Sequence, residues 1–260
     1  MTGMLASRSS PVQSGWDRMP PQMDGSTQVP LRITWLGHAT FVLHTSRGVD
    51  IVIDPWLTTN PACPEPCKRI PRADLVLVTH GHADHIADLV PVARSTGADV
   101  VAIVELCHWL ETKGIRHLHP MNKGGTISLH GVTITMVRAE HSGGWAEDDP
   151  TWYLGEPVGY VLDFEGGLTM YVAGDTALFG DMRMIGECYA PDMAILPIGG
   201  RYTMGPSAAA RACEWLGVRQ VIPMHYGTFP HLTGTPSALR ALVEPKGIAV
   251  LELRPGETSA

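Results

Sequence analysis

The feature that most constrains this chain is a run of metal-binding residue types, T-H-G-H-A-D-H, at residues 79–85. The run follows the apolar stretch DLVLVT (74–79), which predicts a buried strand, and precedes a helix predicted to begin at Asp84. Three histidines and an aspartate within six residues are costly to desolvate together unless a cation or hydrogen bonds replace their water. The sequence therefore predicts a fold in which a buried strand ends at a metal site.

The spacing inside this run allows its side chains to reach two different metal ions. His80 and His82, two residues apart at the mouth of the strand, can reach a first cation. Asp84 and His85, on the first turn of the predicted helix, can reach a neighbouring cation. One short motif can thus serve two metals.

The rest of the chain alternates short apolar, β-branched runs with amphipathic segments, which predicts an α/β fold. Two similar halves of this kind most simply pack as two central sheets with helices on both outer faces, an αββα four-layer sandwich. The predicted strands span 31–36, 40–45, 49–54, 74–79, 99–104, 132–139, 157–164, 168–173, 192–197, 218–223 and 248–253. The predicted helices span 84–95, 105–113, 177–187, 206–216 and 236–243.

The length of 260 residues favours one domain, which we place at residues 30–260. Residues 1–29 are rich in Ser, Pro, Gln, Met and Gly without periodicity, so we expect a flexible N-terminal extension. No apolar stretch approaches the roughly 18 residues that a membrane span requires. The N-terminus also lacks the pattern of a secretory or transit signal, and we expect a cytoplasmic protein.

The charge and the cysteines exclude other classes of protein. A net charge of −7 and a pI near 5.9 lack the basic footprint of nucleic-acid binding, so no nucleic-acid partner is expected. Five cysteines, an odd number in mostly apolar segments, do not resemble a disulfide framework and fit a reducing compartment. Cys63 and Cys67 have no second pair with which to complete a structural zinc site, so we interpret them as loop thiols.

Three further potential ligands, His141, Asp175 and His225, each follow an apolar strand run, where a rigid sheet holds side chains in place. Each alone is more often an ordinary histidine or a turn residue, and only their occurrence together with 79–85 favours metal. Side chains that can orient the ligands are Asp54, Thr79 and Thr176. For Asp54, a turn role before Pro55 is an equal alternative. His38 can orient substrate, stabilise developing charge or form a structural hydrogen bond.

The H-x-H-x-D-H pattern of 79–85 resembles the signature of the metallo-β-lactamase superfamily. Within it, the chain from Arg32 to Gly256 is similar to a widespread bacterial and archaeal family of metal-dependent hydrolases, relatives of ascorbate-6-phosphate lactonase and N-acyl-phosphatidylethanolamine phospholipase D. The family often has Asp-Asn where this chain has Gly200-Arg201, in a loop expected to face substrate. The other matching motifs are L-G-H-A-T-F (36–41), I-D-P-W-L-T-T-N-P (53–61), A-E-H-S (139–142), A-G-D-T-A-L-F (173–179), G-G-R-Y-T-M-G-P (199–206) and P-M-H-Y-G-T-F-P (223–230).

The resemblance implies a ligand set and a mechanism. It assigns His80, His82 and His141 to one metal. It assigns Asp84, His85 and His225 to the other, with Asp175 bridging both. The expected cofactors are two divalent transition-metal ions, zinc first, with Mn, Ni, Fe or Co as alternatives. A hydroxide generated between the ions would attack the substrate, and Asp84, Asp175 and His38 are the candidate catalytic residues.

The expected substrate is a small molecule with an ester, lactone or phosphodiester bond. β-Lactam hydrolysis is not expected, because the best-known zinc β-lactamases have a cysteine where this chain has Asp175. Alternatives are a mononuclear iron redox enzyme resembling persulfide dioxygenases, a metallo-nuclease, or a partner-binding protein without catalysis. A homo-oligomer is left open. Candidate pocket residues in the flanking loops are Trp56, Trp145, Trp152, Tyr153, Arg201 and Tyr202.

Overall fold

The computed structural model describes residues 31–144 and 153–259, whose strands form two sheets. In the first sheet, β1 to β3 form an antiparallel meander and β3 to β6 run parallel, in the spatial order in which they occur in the chain. Its strands are β1 (Arg32–Trp35), β2 (Phe41–His44), β3 (Asp50–Ile53), β4 (Leu75–Leu77), β5 (Asp99–Ile103) and β6 (Leu118–Met121).

The second sheet also combines an antiparallel part with a parallel part, and its strands lie in the spatial order β13-β12-β11-β10-β9-β8-β7. Pairing is antiparallel from β7 to β10 and parallel from β10 to β13. The strands are β7 (Thr126–Leu129), β8 (Val132–Arg138), β9 (Val158–Phe164), β10 (Thr169–Val172), β11 (Met193–Pro197), β12 (Gln220–Met224) and β13 (Ala249–Val250).

The helices lie on the outer faces of the sheets. Helix α5 has Pro206 in its first turn and a left-handed Gly217 at its end, as its sequence predicts. At the start of α6 the side chain of Thr235 accepts a hydrogen bond from the backbone N–H of Ala238. The helices are α1 (Ala83–Ile86), α2 (Leu89–Thr96), α3 (Val104–Thr112), α4 (Met182–Tyr189), α5 (Pro206–Leu216) and α6 (Pro236–Val243).

Side-chain alternation along β10 shows the layering. Met170 and Val172 point into the core between the two sheets, whereas Tyr171 points to the opposite face and packs with the outer helices α4 to α6. Both faces are buried, which explains why these strands are apolar throughout rather than alternating with polar residues. The α/β sandwich predicted from the sequence is confirmed.

The predicted helix over 84–95 is wrong in one respect, because it is two helices. The carboxylate of Asp88, between α1 and α2, accepts hydrogen bonds from the backbone N–H groups of Leu57 and Thr58 at 2.6 and 3.0 Å. Asp88 is 5% exposed, and its contacts fasten the loop after β3 to the break between the helices. A local apolar period cannot reveal such a long-range polar contact.

Other boundaries differ from the prediction. The fourth helix begins at Met182 rather than near 177, and the strand predicted over 248–253 is only Ala249–Val250. Two strands, β6 and β7, were not predicted. Each lies at a sheet edge, with Pro120 inside β6 and alternating exposed positions along β7, so neither has the apolar run of a buried strand.

The two sheets contact each other directly where the predicted metal motif begins. The backbone N–H of Val158 donates to the carbonyl of Thr79 at 2.9 Å, and the Tyr160 hydroxyl donates to the carbonyl of Val78 at 2.7 Å. At the opposite end, the carboxylate of Asp99 accepts hydrogen bonds from His119 of the first sheet and from His130 beside β8 of the second.

None of the helices formed by residues 31–144 and 153–259 is both long and apolar enough to cross a membrane. The predicted extension 1–29 lies outside the described residues, as do Trp145 and Trp152.

Candidate metal centre

The carboxyl ends of six strands, three from each sheet, converge on one site. Strands β1, β3 and β4 share a direction in the first sheet, as do β8, β10 and β12 in the second. The residues that follow them meet between the two sheets, and the structure brings the predicted ligands together there with His38. They are His38, Asp54, His80, His82, Asp84, His85, His141, Asp175 and His225.

Three of these residues have left-handed backbone conformations, with φ of 56° at His38, 45° at Asp54 and 56° at His225. Such angles are strained for residues other than glycine and cluster at functional sites. The carbonyl of His38 accepts hydrogen bonds from the backbone of His225 and from the indole N–H of Trp35, both at 3.0 Å. These bonds join the two strained loops across the sheets, which helps to hold the strained conformation.

A first cluster contains only imidazoles. Nε2 of His80 lies 2.9 Å from Nδ1 of His82, and the ligand atoms of His80, His82 and His141 all lie within 4.8 Å of one another. Burial, reinforced by the positive charge of His85, lowers the pKa of all three histidines. Neutral imidazole is the form whose lone pair binds a metal, so the protonation state of this cluster suits the binding of a cation.

A second cluster combines imidazoles with a carboxylate. The ligand atoms of His38, Asp84, His85 and His225 lie within 4.8 Å of one another, and Nε2 of His38 is 3.1 Å from Oδ2 of Asp84. The sequence predicted this grouping without His38. Burial lowers the pKa of His38 to about 4, and its Nδ1 lies 2.9 Å from the hydroxyl of Thr228.

Asp175 lies between the two clusters. Its Oδ2 is 3.0 Å from Nε2 of His225, 3.4 Å from Nε2 of His85 and 3.6 Å from Nε2 of His141. Burial by itself would raise the pKa of Asp175, but the positive charge of His85 and His225 holds it well below its usual value. One oxygen of a buried, ionised carboxylate thus faces both groups of histidines.

Asp54 fills both roles that the sequence left open, because it has a left-handed turn conformation before Pro55 and its side chain contacts the adjacent site residues. Its Oδ2 accepts hydrogen bonds from Nδ1 of His85 at 2.8 Å and from the hydroxyl of Thr79 at 2.6 Å, while Oδ1 accepts the Thr79 backbone N–H at 2.8 Å. The Thr79 hydroxyl also lies 3.0 Å from Nδ1 of His80. In the neutral form of His85 that binds a metal, donation of Nδ1–H to Asp54 leaves the Nε2 lone pair free.

Thr176 was expected to orient a ligand side chain in the same way, but it acts on the backbone. Its hydroxyl accepts a hydrogen bond from the backbone N–H of Glu140 at 2.9 Å and donates to the carbonyl of Ala177. Thr176 therefore fixes the loop that carries His141, rather than the imidazole itself.

The residues present fit a cation. Within the described part of the chain, Nε2 of His85, Oδ1 of Asp175 and Nδ1 of His225 are buried without a hydrogen-bond partner, which is costly unless something else satisfies them. Burial by itself would lower the pKa of His85, but Asp175 and Asp54 hold it well above its usual value. A positive charge is therefore favoured here, and the mixed imidazole and carboxylate set suits Zn, Mn, Fe, Co or Ni.

The predicted pocket residues lie in different positions. Trp56 is 6% exposed and packs its ring 5.1 Å from that of His38, whereas Tyr153, Arg201 and Tyr202 are exposed. Sequence reasoning did not single out Phe229 or His231 as pocket residues. The available signal was their position four and six residues after His225, in the loop that begins with a predicted ligand.

Comparison with known proteins agrees with this geometry. A sequence model of the beta-lactamase superfamily domain matches residues 50–226. A metal-dependent hydrolase of Rubrobacter xylanophilus is 52% identical over 229 residues, covering 87% of this chain and 95% of the relative. One from Koribacter versatilis is 50% identical over 228 residues, covering 88% and 97%.

Among solved structures, a metallo hydrolase from the hyperthermophilic archaeon Ignicoccus hospitalis is similar at a TM-score of 0.78 and 38% identity, covering 88% of this chain and 97% of that one. Sequence and structure comparisons thus each cover most of this chain. The protein therefore belongs to the metallo-β-lactamase superfamily and is one of its metal-dependent hydrolases.

Proposed function

We propose that this protein is a binuclear hydrolase that cleaves an ester, lactone or phosphodiester bond of a small substrate. The observation that carries the proposal is the position of Asp175, whose Oδ2 faces His141 of the first cluster and His85 and His225 of the second. A carboxylate between two groups of ligands is what a pair of ions sharing one ligand requires.

In this proposal His80, His82 and His141 hold one divalent ion, and Asp84, His85 and His225 hold the other. Asp175 serves both ions, and zinc is the first expectation. When bound, such ions supply activation of water at neutral pH and stabilisation of the negative charge that develops on the substrate.

The side chains of the protein position the proposed metal ligands and leave the site open to a substrate. Asp54 keeps His85 in the tautomer that binds through Nε2. His38, neutral at pH 7 because burial lowers its pKa to about 4, donates Nε2–H to Asp84 and so positions that carboxylate. The side chains of Asp84 and His141 are 31% and 12% exposed, which gives a substrate one open side of an otherwise buried site.

We further propose that the enzyme acts in the cytoplasm, with residues 30–260 as one domain and residues 1–29 as an extension. The five cysteines are all free thiols, which fits a reducing compartment.

The decisive experiment measures metal content and hydrolysis together. Gently purified wild type should contain near two equivalents of Zn, Mn or Ni and should hydrolyse members of a lactone, ester and phosphodiester panel. Asp175→Ala should lose turnover and metal, whereas Asp181→Ala, a change at an exposed aspartate, should lose neither.

A different measured metal content would support a different function. One equivalent of iron without hydrolysis would favour the alternative of a mononuclear iron redox enzyme. The catalytic proposal would be contradicted if protein purified without chelators contained no metal and gained no activity when Zn or Mn was added.

A further inference from the structure

A row of stacked rings extends outward from the metal centre. We call Trp56, Phe229, His231 and Tyr202 the aromatic row. The rings of Trp56 and Phe229 stack at 5.9 Å between centroids, those of Phe229 and His231 at 5.6 Å, and Tyr202 meets His231 edge-on at 5.2 Å. The planes of Trp56 and His231 lie within 27° and 9° of the plane of Phe229, so these three rings stack nearly parallel to one another.

The inner end of the aromatic row is at the proposed reaction site. The His38 ring lies edge-on to Trp56 and Phe229, at 5.1 and 5.8 Å between centroids. His38 also contacts the carboxylate of Asp84 through its Nε2. A molecule lying along the row would therefore have one end beside the candidate metal ligands.

The outer end of the row combines an exposed ring with a cation. Tyr202 is 54% exposed, and the guanidinium of Arg201 lies over its ring, 5.4 Å from the centroid. Among residues 31–144 and 153–259, no carboxylate forms an ion pair with Arg201, unlike Arg138 and Arg219. The positive charge at this end faces water.

The backbone holds this outer end in a strained conformation. Arg201 has a φ of 55°, and the N–H of Tyr202 donates to the carbonyl of Gly200 at 2.6 Å in a tight turn. The N–H of Met204, just after the turn, donates to the carbonyl of Thr176, the residue after Asp175. Strain at an exposed arginine anchored to the metal-site loop points to function, since glycine would adopt this angle more easily.

These features together describe a substrate. The partly exposed Phe229 and His231 and the exposed Tyr202 favour a flat apolar group, because stacking against them removes apolar area from water and adds specificity. A guanidinium at the far end favours a carboxylate or phosphate, both of which match its planar fork. The bond to be cleaved would lie at the near end, beside Asp84.

We propose, on the basis of the hydrolase function above, that the aromatic row and Arg201 bind the non-reacting part of the substrate. The substrate is then an anionic ester or lactone in which a flat apolar group separates the bond that is cleaved from a terminal carboxylate or phosphate. Arg201 and Tyr202 are the residues that determine this specificity.

The test uses aryl acetates with a para carboxylate on a spacer of zero to three methylenes, and the matching carboxamides. Hydrolysis consumes one water, breaks the acyl C–O bond and releases acetate and the phenol. Wild type should prefer a carboxylate of suitable length to its carboxamide in kcat/KM by about fivefold, the effect of an exposed ion pair. Phosphate-bearing phenyl acetates then distinguish the two anions.

Variants at Arg201 and Tyr202 separate the effect of the positive charge from the effect of the aromatic ring. Arg201→Gln should remove the preference for the anion by raising KM with little change in kcat, whereas Arg116→Gln, at another exposed arginine, should keep it. Arg201→Gly relieves the strained φ and should fold at least as stably while losing the same preference. Tyr202→Ala should lower kcat/KM for both substrates by about threefold to tenfold.

Two results would overturn the proposal while leaving the hydrolase function intact. One is a wild type that hydrolyses carboxylates and carboxamides equally well. The other is an Arg201→Gln variant with the same ratio as Arg116→Gln, which would mean that the row packs only on the protein's own surface. A metal-loaded wild type that hydrolyses no ester, lactone or phosphodiester of the panel would contradict the proposed function itself.

Discussion

At the residue scale, Asp54 and Asp99 show how burial changes what a carboxylate does in this molecule. Both accept hydrogen bonds from an imidazole, Asp54 from His85 and Asp99 from His119 and His130. Asp54 is 1% exposed beside the metal centre, whereas the Asp99 side chain is 26% exposed at the far end of the sheets. The contact at Asp54 therefore determines the tautomer of a proposed ligand, whereas the contacts at Asp99 join surface segments.

We predict that Asp54→Asn weakens metal binding about 10- to 100-fold without unfolding the protein. The new amide can donate to Nδ1 of His85, which moves the imidazole proton to Nε2 and blocks the lone pair that would bind metal. Competition with a chromophoric chelator measures the affinity, and circular dichroism checks the fold. Asp99→Asn is the matched control, and an equal loss in both variants would contradict this role for Asp54.

The cysteines give a second prediction at this scale. Burial raises the pKa of Cys63 to about 11 and that of Cys107 and Cys213 to about 12. At pH 8 these three thiols stay protonated, and the thiolate is the reactive form. The partly exposed Cys67 and Cys188 should therefore react first with a disulfide reagent in native protein, and all five should react after denaturation. Rapid labelling of Cys107 in folded protein would contradict the packing described here.

At the element scale, the metal centre depends on how closely strand ends approach one another. A Cβ at Gly199, after β11, would lie far inside van der Waals distance of the carbonyl oxygen of His225, after β12. A Cβ at Gly174, just before Asp175, would lie 2.8 Å from Cβ of Thr79 in the other sheet. Glycine at these two positions lets adjacent strand ends approach closely enough for the proposed ligand side chains that follow them to meet.

Gly199→Ala should therefore displace His225 and destabilise the protein by about 1 to 3 kcal/mol, the usual effect of overpacking. Urea unfolding measures the change, and metal content measures the effect on the site. Gly180→Ala is the matched control, because a Cβ there meets no atom within 4 Å and its φ is not in the left-handed region. Similar stability of the two variants would argue against a tight approach at Gly199.

The elements that the sequence predicted well are those with strong local signals. Helices α5 and α6 carry proline in the first turn, and their predicted bounds match. The break at Asp88 and the edge strand β7 depend on tertiary contacts, so local patterns missed them. For the site, residue types, strand ends and the family resemblance predicted side chains that the structure brings together, and their role as metal ligands stays a prediction. The strained φ values at His38 and His225 could not be predicted, because residues of this type rarely adopt them.

At the scale of the whole molecule, the proposed ligands come from both sheets. His80 follows β4 of the first sheet, and Asp175 and His225 follow strands of the second. Ions bound there would connect the two halves of the sandwich as well as supply the chemistry. Metal binding and global stability should therefore be linked.

We predict that chelation lowers the melting temperature of wild type by roughly 10 °C and that adding zinc restores it. An ion bound at 100 to 1,000 times its dissociation constant contributes about 3 to 4 kcal/mol to folding, which in a domain of this size corresponds to a shift of this order. Thermal melts with and without chelator measure it. Asp175→Ala should melt at the same temperature in both conditions, and an unchanged wild-type melt would mean that the ions do not hold the sheets together.

The hydrogen bonds of Asp99 affect how a substrate arrives. The bond from His130 joins the sheets at the end opposite the metal centre, while Val158 and Thr79 join them beside it. Contacts at both ends oppose a hinge-like opening between the layers. We therefore expect molecules to enter and leave over the rim of loops, where changes in sequence can alter the choice of substrate while the paired sheets stay the same.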